Sequence, residues 1–293
     1  MCNTFSFLVF SNEDLFFVPS VDSHENQIAL KGINENGFAV QFARCEYVPT
    51  CGKFSDLDSY KFRLDEDRTP DWWTEEIQER TISRIRSRIR GMIVSKDQQV
   101  LGPGVWILSG NPTIGKLLDG CIIITAESAT IQYAGSATIR NAGSATIQNA
   151  GSATIRNAEY ATIHYARSAT IQYAVSAKIR NAEYATIRNA GSATIQNAGS
   201  ATIQNAEYAT IQDAGSATIQ YVGSAKIRNA GSATMQYAGS ATIQNAEYAT
   251  IQNAGLATIQ NAGSATIQYA GSATIRNAES ATIINKQSAT IVN

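Results

Sequence analysis

From Glu127 onward, hydrophobic and polar positions recur with a period of eight, and no insertion interrupts them. The unit reads Gly/Glu–Ser/Tyr–Ala–Thr–Ile–Gln/Arg–Asn/Tyr–Ala, as in the stretch Gly143 to Ala150. Within it, Ala-Thr-Ile-Gln alternates small apolar, polar, large apolar, polar, the period-2 signature of a half-buried strand. Ala and Ile then share one face, and Thr and Gln/Arg the other. Isoleucine holds the fifth position from Ile131 to Ile291 with Met235 as the one substitute, and only Lys178 and Lys226 replace the threonine. A helix is excluded. Positions eight apart drift by about 80° per unit at 3.6 residues per turn, so the isoleucines would spiral around the axis. A single strand of this kind cannot bury its isoleucine, but stacked copies can. The array therefore predicts a parallel β-solenoid (β-helix) over 127–293, with Ile on Ile, Thr on Thr, and Asn and Gln ladders bonding between coils.

The coil closes after two units (2 × 8 = 16 residues, two-sided) or three (3 × 8 = 24 residues, three-sided). Column composition favours the three-sided form. Read in threes, Tyr160, Tyr184 and Tyr208 stack, and such cross-strand aromatic neighbours are favourable. Arg156, Lys178, Arg180, Lys226, Arg228 and Arg276 then share one face, which makes them a candidate binding face for a polyanion. Glu159, Glu183 and Glu207 would also stack, which costs energy unless they splay into solvent.

Residues 1–100 carry no repeat. Residues 5–10, 15–18, 27–31 and 37–42 read as short strands between Asn/Gly/Asp turns. Thr69-Pro70-Asp71 ahead of Trp72 and Trp73 announces a helix. Ile77, Ile82, Ile85 and Ile89 form its apolar stripe, Gly91 stops it, and residues 92–94 begin another strand. The organisation expected is an α+β head over 1–100 that caps one solenoid end, irregular entry coils over 101–126, and the repeat solenoid over 127–293. A cap would shield strand edges that otherwise invite aggregation.

Charge changes this picture little. Lys+Arg total 23 against 24 Asp+Glu, so the net charge of −1 names no partner. The array holds ten Lys+Arg against seven Asp+Glu, a mild excess that argues against an acidic nucleic-acid mimic. No apolar run approaches the ~18–20 residues of a membrane helix, and the first residues lack a basic segment and a small-residue cleavage site. No membrane association is expected. Cys2, Cys45, Cys51 and Cys121 form no CxxC pair and have no zinc spacing, which favours a reducing, cytoplasmic location without metal or cofactor.

Catalytic chemistry has one candidate. His164 takes an outward Gln/Arg position in the least regular unit, beside Glu159, Tyr160, Tyr165 and Arg167. Left-handed β-helix acyltransferases carry a coil-borne histidine as general base, but His164 lacks a clear acid partner or nucleophile and reads as a drifted outward glutamine. His24 sits in a polar turn. Asp213 is the one acid of the array outside the turn glutamates, so the clustered acids of a polysaccharide-cleaving solenoid are not expected. An enzyme is not expected.

The stretch from Leu64 to Trp73 (LDEDRTPDWW), the Ile/Arg helix after it and the octads resemble uncharacterised octapeptide-repeat proteins of bacterial and phage genomes. There an acidic-Thr-Pro-Asp-Trp head precedes eight-residue repeats. The resemblance implies a fold and no activity. The octads are distantly similar to ice-nucleation repeats, with Thr-x-Gln or Thr-x-Arg in place of recurring Thr-x-Thr pairs. The function expected is a non-enzymatic scaffold whose rigid surface serves binding or assembly, with a protein or a second copy as partner and a phage- or mobile-element setting. Two alternatives stand beside it: recognition of ice or a polysaccharide surface by the Thr/Gln array, and binding of a polyanion such as nucleic acid along the cationic face. Finally, Ile284 and Val292 occupy positions where Gln or Arg is usual, and Lys286 replaces an alanine. They mark a candidate homo-oligomer interface through the C-terminal coils.

Overall fold

A computed structural model describes residues 5–33, 42–50, 54–278 and 280–292. These fall into two compact units, one of Met1–Val94 with Val105–Ile107 and one of Ser95–Gly104 with Leu108–Asn293.

In the second unit each octad forms one short parallel strand, from Thr130–Tyr133 to Thr290–Val292. Strand partners lie 16 residues apart, so Thr130 sits on Thr146 and Ile131 on Ile147. That register persists to the pairing of Thr274 with Thr290. The coil is therefore a 16-residue, two-sided one, and the 24-residue, three-sided expectation is corrected. The turn chemistry explains why. Between strands the amide of one alanine donates to the carbonyl of the alanine three residues earlier, as from Ala137 to Ala134 at 3.1 Å. Only the first central residue of this four-residue, hydrogen-bonded β-turn has positive φ (Gly135, 60°). Such a turn nearly reverses the chain, which builds a flat two-sheet coil, whereas a triangular coil needs wider corners. Charge agrees. Glu159 lies between Gly143 and Val175, Glu183 between Arg167 and Gly199, and Glu207 between Gly191 and Gly223, so these carboxylates never stack. Tyr184 accordingly occupies the opposite corner from Tyr160 and Tyr208. The aromatic pair that does stack is Tyr221 and Tyr237, with centroids 5.3 Å apart.

The two sheets pack over the isoleucines. Ile131 to Ile275, with Met235 in the same layer, are sealed from solvent, and the paired alanines fill the corners. Removing one such side chain from water contributes about 1.5–3 kcal/mol. Turn amides bond to the coil below, as from Ser152 to Gly135 O at 2.9 Å, so the backbone is satisfied around the coil. Asparagine ladders join coils, for example Asn245 to Asn229 (2.9 Å) and Asn261 to Asn245 (2.7 Å). The regular stack starts earlier than the repeat. Thr113–Leu117 places Ile114 beneath Ile131, and Cys121–Thr125 places Ile123 beneath Ile139, so much of 101–126 already stands in sheet register. One sheet runs through thirteen strands from Gln98–Leu101 to Thr290–Val292, and the other continues from Cys121–Thr125 to Thr282–Asn285.

The first unit is α+β. Strands β1 (Phe5–Phe10), β2 (Leu15–Phe16), β3 (Phe42–Pro49) and β4 (Tyr60–Leu64) form an antiparallel sheet in the order β2-β1-β3-β4. Helix α1 spans His24–Lys31, which corrects the strand expected at 27–31. Ser23 caps it by accepting from the Asn26 amide, and Gly32 ends it at φ 70°. Helix α2 spans Glu75–Arg90, capped by Thr74 and stopped at Gly91 as expected. Its buried stripe is Ile77, Thr81, Ile85 and Ile89, so Thr81 takes a place expected for Ile82. The strand expected at 37–42 lies outside the described residues except for Phe42.

Candidate binding faces

Two-sided closure sorts the outward side chains by the parity of their unit. The sheet that contains Thr130–Tyr133 presents His164, Lys178, Arg180, Lys226, Arg228 and Arg276. The opposite sheet presents Arg140, Arg156 and Arg188. Of the six residues expected on one face, five remain together and Arg156 moves to the other side, because the 24-residue column that grouped them does not exist. Lys178, Arg180, Lys226, Arg228 and Arg276 are exposed, and none forms an ion pair among the described residues.

The sheet with Arg156 carries an unbroken threonine column from Thr138 to Thr282. From Thr202 to Gln268 its two central outward columns hold only Thr and Gln, with exposed Tyr221, Tyr237 and Tyr269 at the strand ends. Sequence patterning alone missed this column, since both sheets look alike until the closure is known.

On the first sheet a depression of about 290 Å³ opens among Gln212, Lys226, Arg228, Gln244 and Gln260. Its floor includes Ile211 and Ile227. His164 is half-buried in the same sheet, with Arg180 on the next coil. Glu159 and Arg167, its companions in sequence, occupy the turns on either side, so the coil does not gather them around the imidazole.

No family model, curated protein or solved structure matches the chain. The reading of its surfaces therefore rests on their own chemistry.

In the first unit a polar cluster surrounds His24. Its Nδ1 lies 3.3 Å from Asp65 Oδ2 and its Nε2 3.0 Å from the Cys45 carbonyl oxygen. Glu46 completes a set of three groups close enough to hold a cation. The Arg63 guanidinium reaches both carboxylates, at 3.8 Å to Glu46 and 3.3 Å to Asp65, and would compete with a metal ion. Arg44 and Glu66 add a further pair at 3.3 Å. Sequence reasoning missed this cluster because β3 and β4 bring together residues distant along the chain. Buried Cys45 has its thiol pKa raised, first by burial and then by Glu66 and Asp65. Burial likewise pushes the Cys121 thiol from 9.0 to about 11. Both thiols are free, and neither is an activated nucleophile. Cys2 and Cys51 lie outside the described residues.

At the last described coil the interior opens. Ile283 and Ile291 are partly exposed, while Ile275 one coil below Ile291 is fully buried. Ile284 and Val292 are exposed by 68% and 49%. Among the described residues no helix is long and apolar enough to cross a membrane.

Proposed function

We propose that the chain is a non-enzymatic repeat scaffold whose two solenoid faces serve binding or assembly. One observation carries this reading: the coil separates two flat arrays of different chemistry, one marked by cations and the other by an unbroken threonine column. Almost every inward position is spent on the same packing layer, so variation is confined to surfaces and turns. Self-association through the C-terminal coils belongs to the same proposal, as does a protein partner in a phage or mobile-element setting. The test immobilises the full chain and compares retention of ice, neutral and acidic glycans, nucleic acid and the chain itself. Retention of at least one is expected. It should weaken when one face is altered, by Thr218→Glu and Thr250→Glu or by Arg180→Gln and Arg228→Gln, with an unchanged circular dichroism spectrum. Retention indifferent to both sets, or a catalysed reaction abolished by His164→Ala, would overturn the scaffold reading.

A second reading is favoured by the neutral stretch from Thr202 to Gln268. A rigid row of hydroxyls and amides at one rung spacing, about 4.8 Å, suits an ordered surface such as ice or a crystalline polysaccharide. Thermal hysteresis measured with the full chain tests the ice version: hysteresis lost on Thr218→Glu supports it, and none in the wild type removes it.

A further inference from the structure

The cations of the first sheet are not scattered. Along its outward glutamine column the residues read Arg180, Gln196, Gln212, Arg228, Gln244, Gln260, Arg276. An arginine therefore stands on every third coil, at intervals of about 14 Å given a rung spacing of ~4.8 Å. Two rows of glutamine lie between successive arginines. The neighbouring threonine column repeats the phase, with Lys178 beside Arg180 and Lys226 beside Arg228. The nearest acids are the turn glutamates and Asp213, which ends the strand Thr210–Asp213 beside Gln212. Glu207 Oε1 accepts from Asn189 Nδ2 at 2.7 Å, and Asp213 Oδ1 accepts from the Gly215 amide at 3.1 Å. The depression among Gln212, Lys226, Arg228, Gln244 and Gln260 lies at the middle post.

The geometry points to a binding track for a linear acidic polysaccharide, a polyuronate chain laid along the solenoid axis. This rests on the scaffold reading and names the ligand for one of its faces. Each pyranose of an extended 1,4-linked chain advances it by close to one rung. A chain wound as a threefold helix turns every third carboxylate to the same side, the interval at which the guanidiniums stand. Arginine suits that carboxylate because its planar fork bonds both oxygens at once. The intervening Gln and Thr side chains donate and accept hydrogen bonds as sugar hydroxyls require. Nucleic acid fits less well. Single strands bind largely by stacking successive bases on aromatic side chains. The corner column beside this track is Asn181, Asn197, Asp213, Asn229, Asn245, Asn261 and Asn277. The exposed tyrosines of the flanking turns, Tyr184, Tyr208 and Tyr248, stand several coils apart or on opposite corners, too far for successive bases to stack on.

The test uses the full chain and fluorescently labelled oligogalacturonate in anisotropy titrations at low and high salt. Binding that weakens with salt is expected, since exposed charge pairs are screened. Arg180→Gln/Arg228→Gln/Arg276→Gln should weaken it at least tenfold. Arg156→Gln/Arg188→Gln on the opposite sheet should change it less than twofold. A third variant, Arg228→Gln/Gln244→Arg, keeps the net charge but breaks the spacing and should also lose about tenfold. Absence of binding at low salt, equal loss from both faces, or an unaffected spacing variant would overturn the track. Tighter binding of single-stranded DNA of matched length would overturn the polysaccharide assignment. Any of these results leaves the scaffold reading standing if the chain still retains another ligand in a face-dependent manner.

Discussion

At the residue scale, the first turn position carries much of the fold's stringency. Gly231 adopts φ 58°, and a Cβ there would lie 2.7 Å from the Gly215 carbonyl oxygen of the coil below. Val175 (φ 53°) and several glutamates bear the same backbone strain elsewhere. Gly231→Val should destabilise by about 1–2 kcal/mol from the left-handed backbone alone, read as a lower denaturation midpoint, with the crowded carbonyl adding to it. The buried thiols make a second prediction. Folded Cys121 ionises near 11 against 9.0 when exposed, so the unfolded state loses its proton first. The contribution is fully present below pH 9.0 and is lost as pH rises toward about 11. Denaturation midpoints of wild type and Cys121→Ser should therefore converge in that range, and thiol reagents should modify Cys121 at neutral pH only after unfolding. Prompt labelling of native protein at that site would contradict the burial.

At the scale of elements, the strand of each octad was legible because alternation requires only sequence neighbours. The inward set of Ala and Ile follows from Ala-Thr-Ile-Gln alone. The number of units per coil was not legible, since Tyr160, Tyr184 and Tyr208 suggest a column that the Ala-to-Ala turns forbid. That single error displaced Arg156 to the wrong face and hid the threonine column. In the head, residues 27–31 look strand-like until Ser23 and Gly32 are recognised as caps of α1. β3 and β4 gave weaker signals, because their partners lie far along the chain and their charged residues, Arg44, Glu46 and Arg63, face the polar cluster. Within the array each coil touches only its neighbours, so damage should stay local. Ile203→Ala removes a fully buried side chain and should cost about 2–5 kcal/mol. Hydrogen exchange should rise in the strands that flank it, Thr186–Asn189 and Thr218–Tyr221, while Thr138–Asn141 stays protected. Uniform loss of protection along the whole array would show that its coils unfold together.

For the whole molecule, the proposed self-association would cover Ile284 and Val292, which lie outward and are exposed. Among the described residues the strands Thr282–Asn285 and Thr290–Val292 are each paired along one edge. Light scattering should report a multimer for the wild type and a smaller species for Ile284→Asp/Val292→Asp. A monomeric wild type would remove the self-association part of the proposal. The two-unit coil has a further consequence for how such a gene can change. Tandem DNA of this regularity gains and loses copies by slippage, and the outcome depends on whether the number is odd or even. An even change lengthens or shortens the rod and leaves each downstream residue on its side. An odd one transposes every later residue to the far side, so Arg276 would exchange places with a threonine-column neighbour while the buried layer stayed intact. Selection that tolerates even steps and purges odd ones would be the genetic trace of two surfaces with separate tasks.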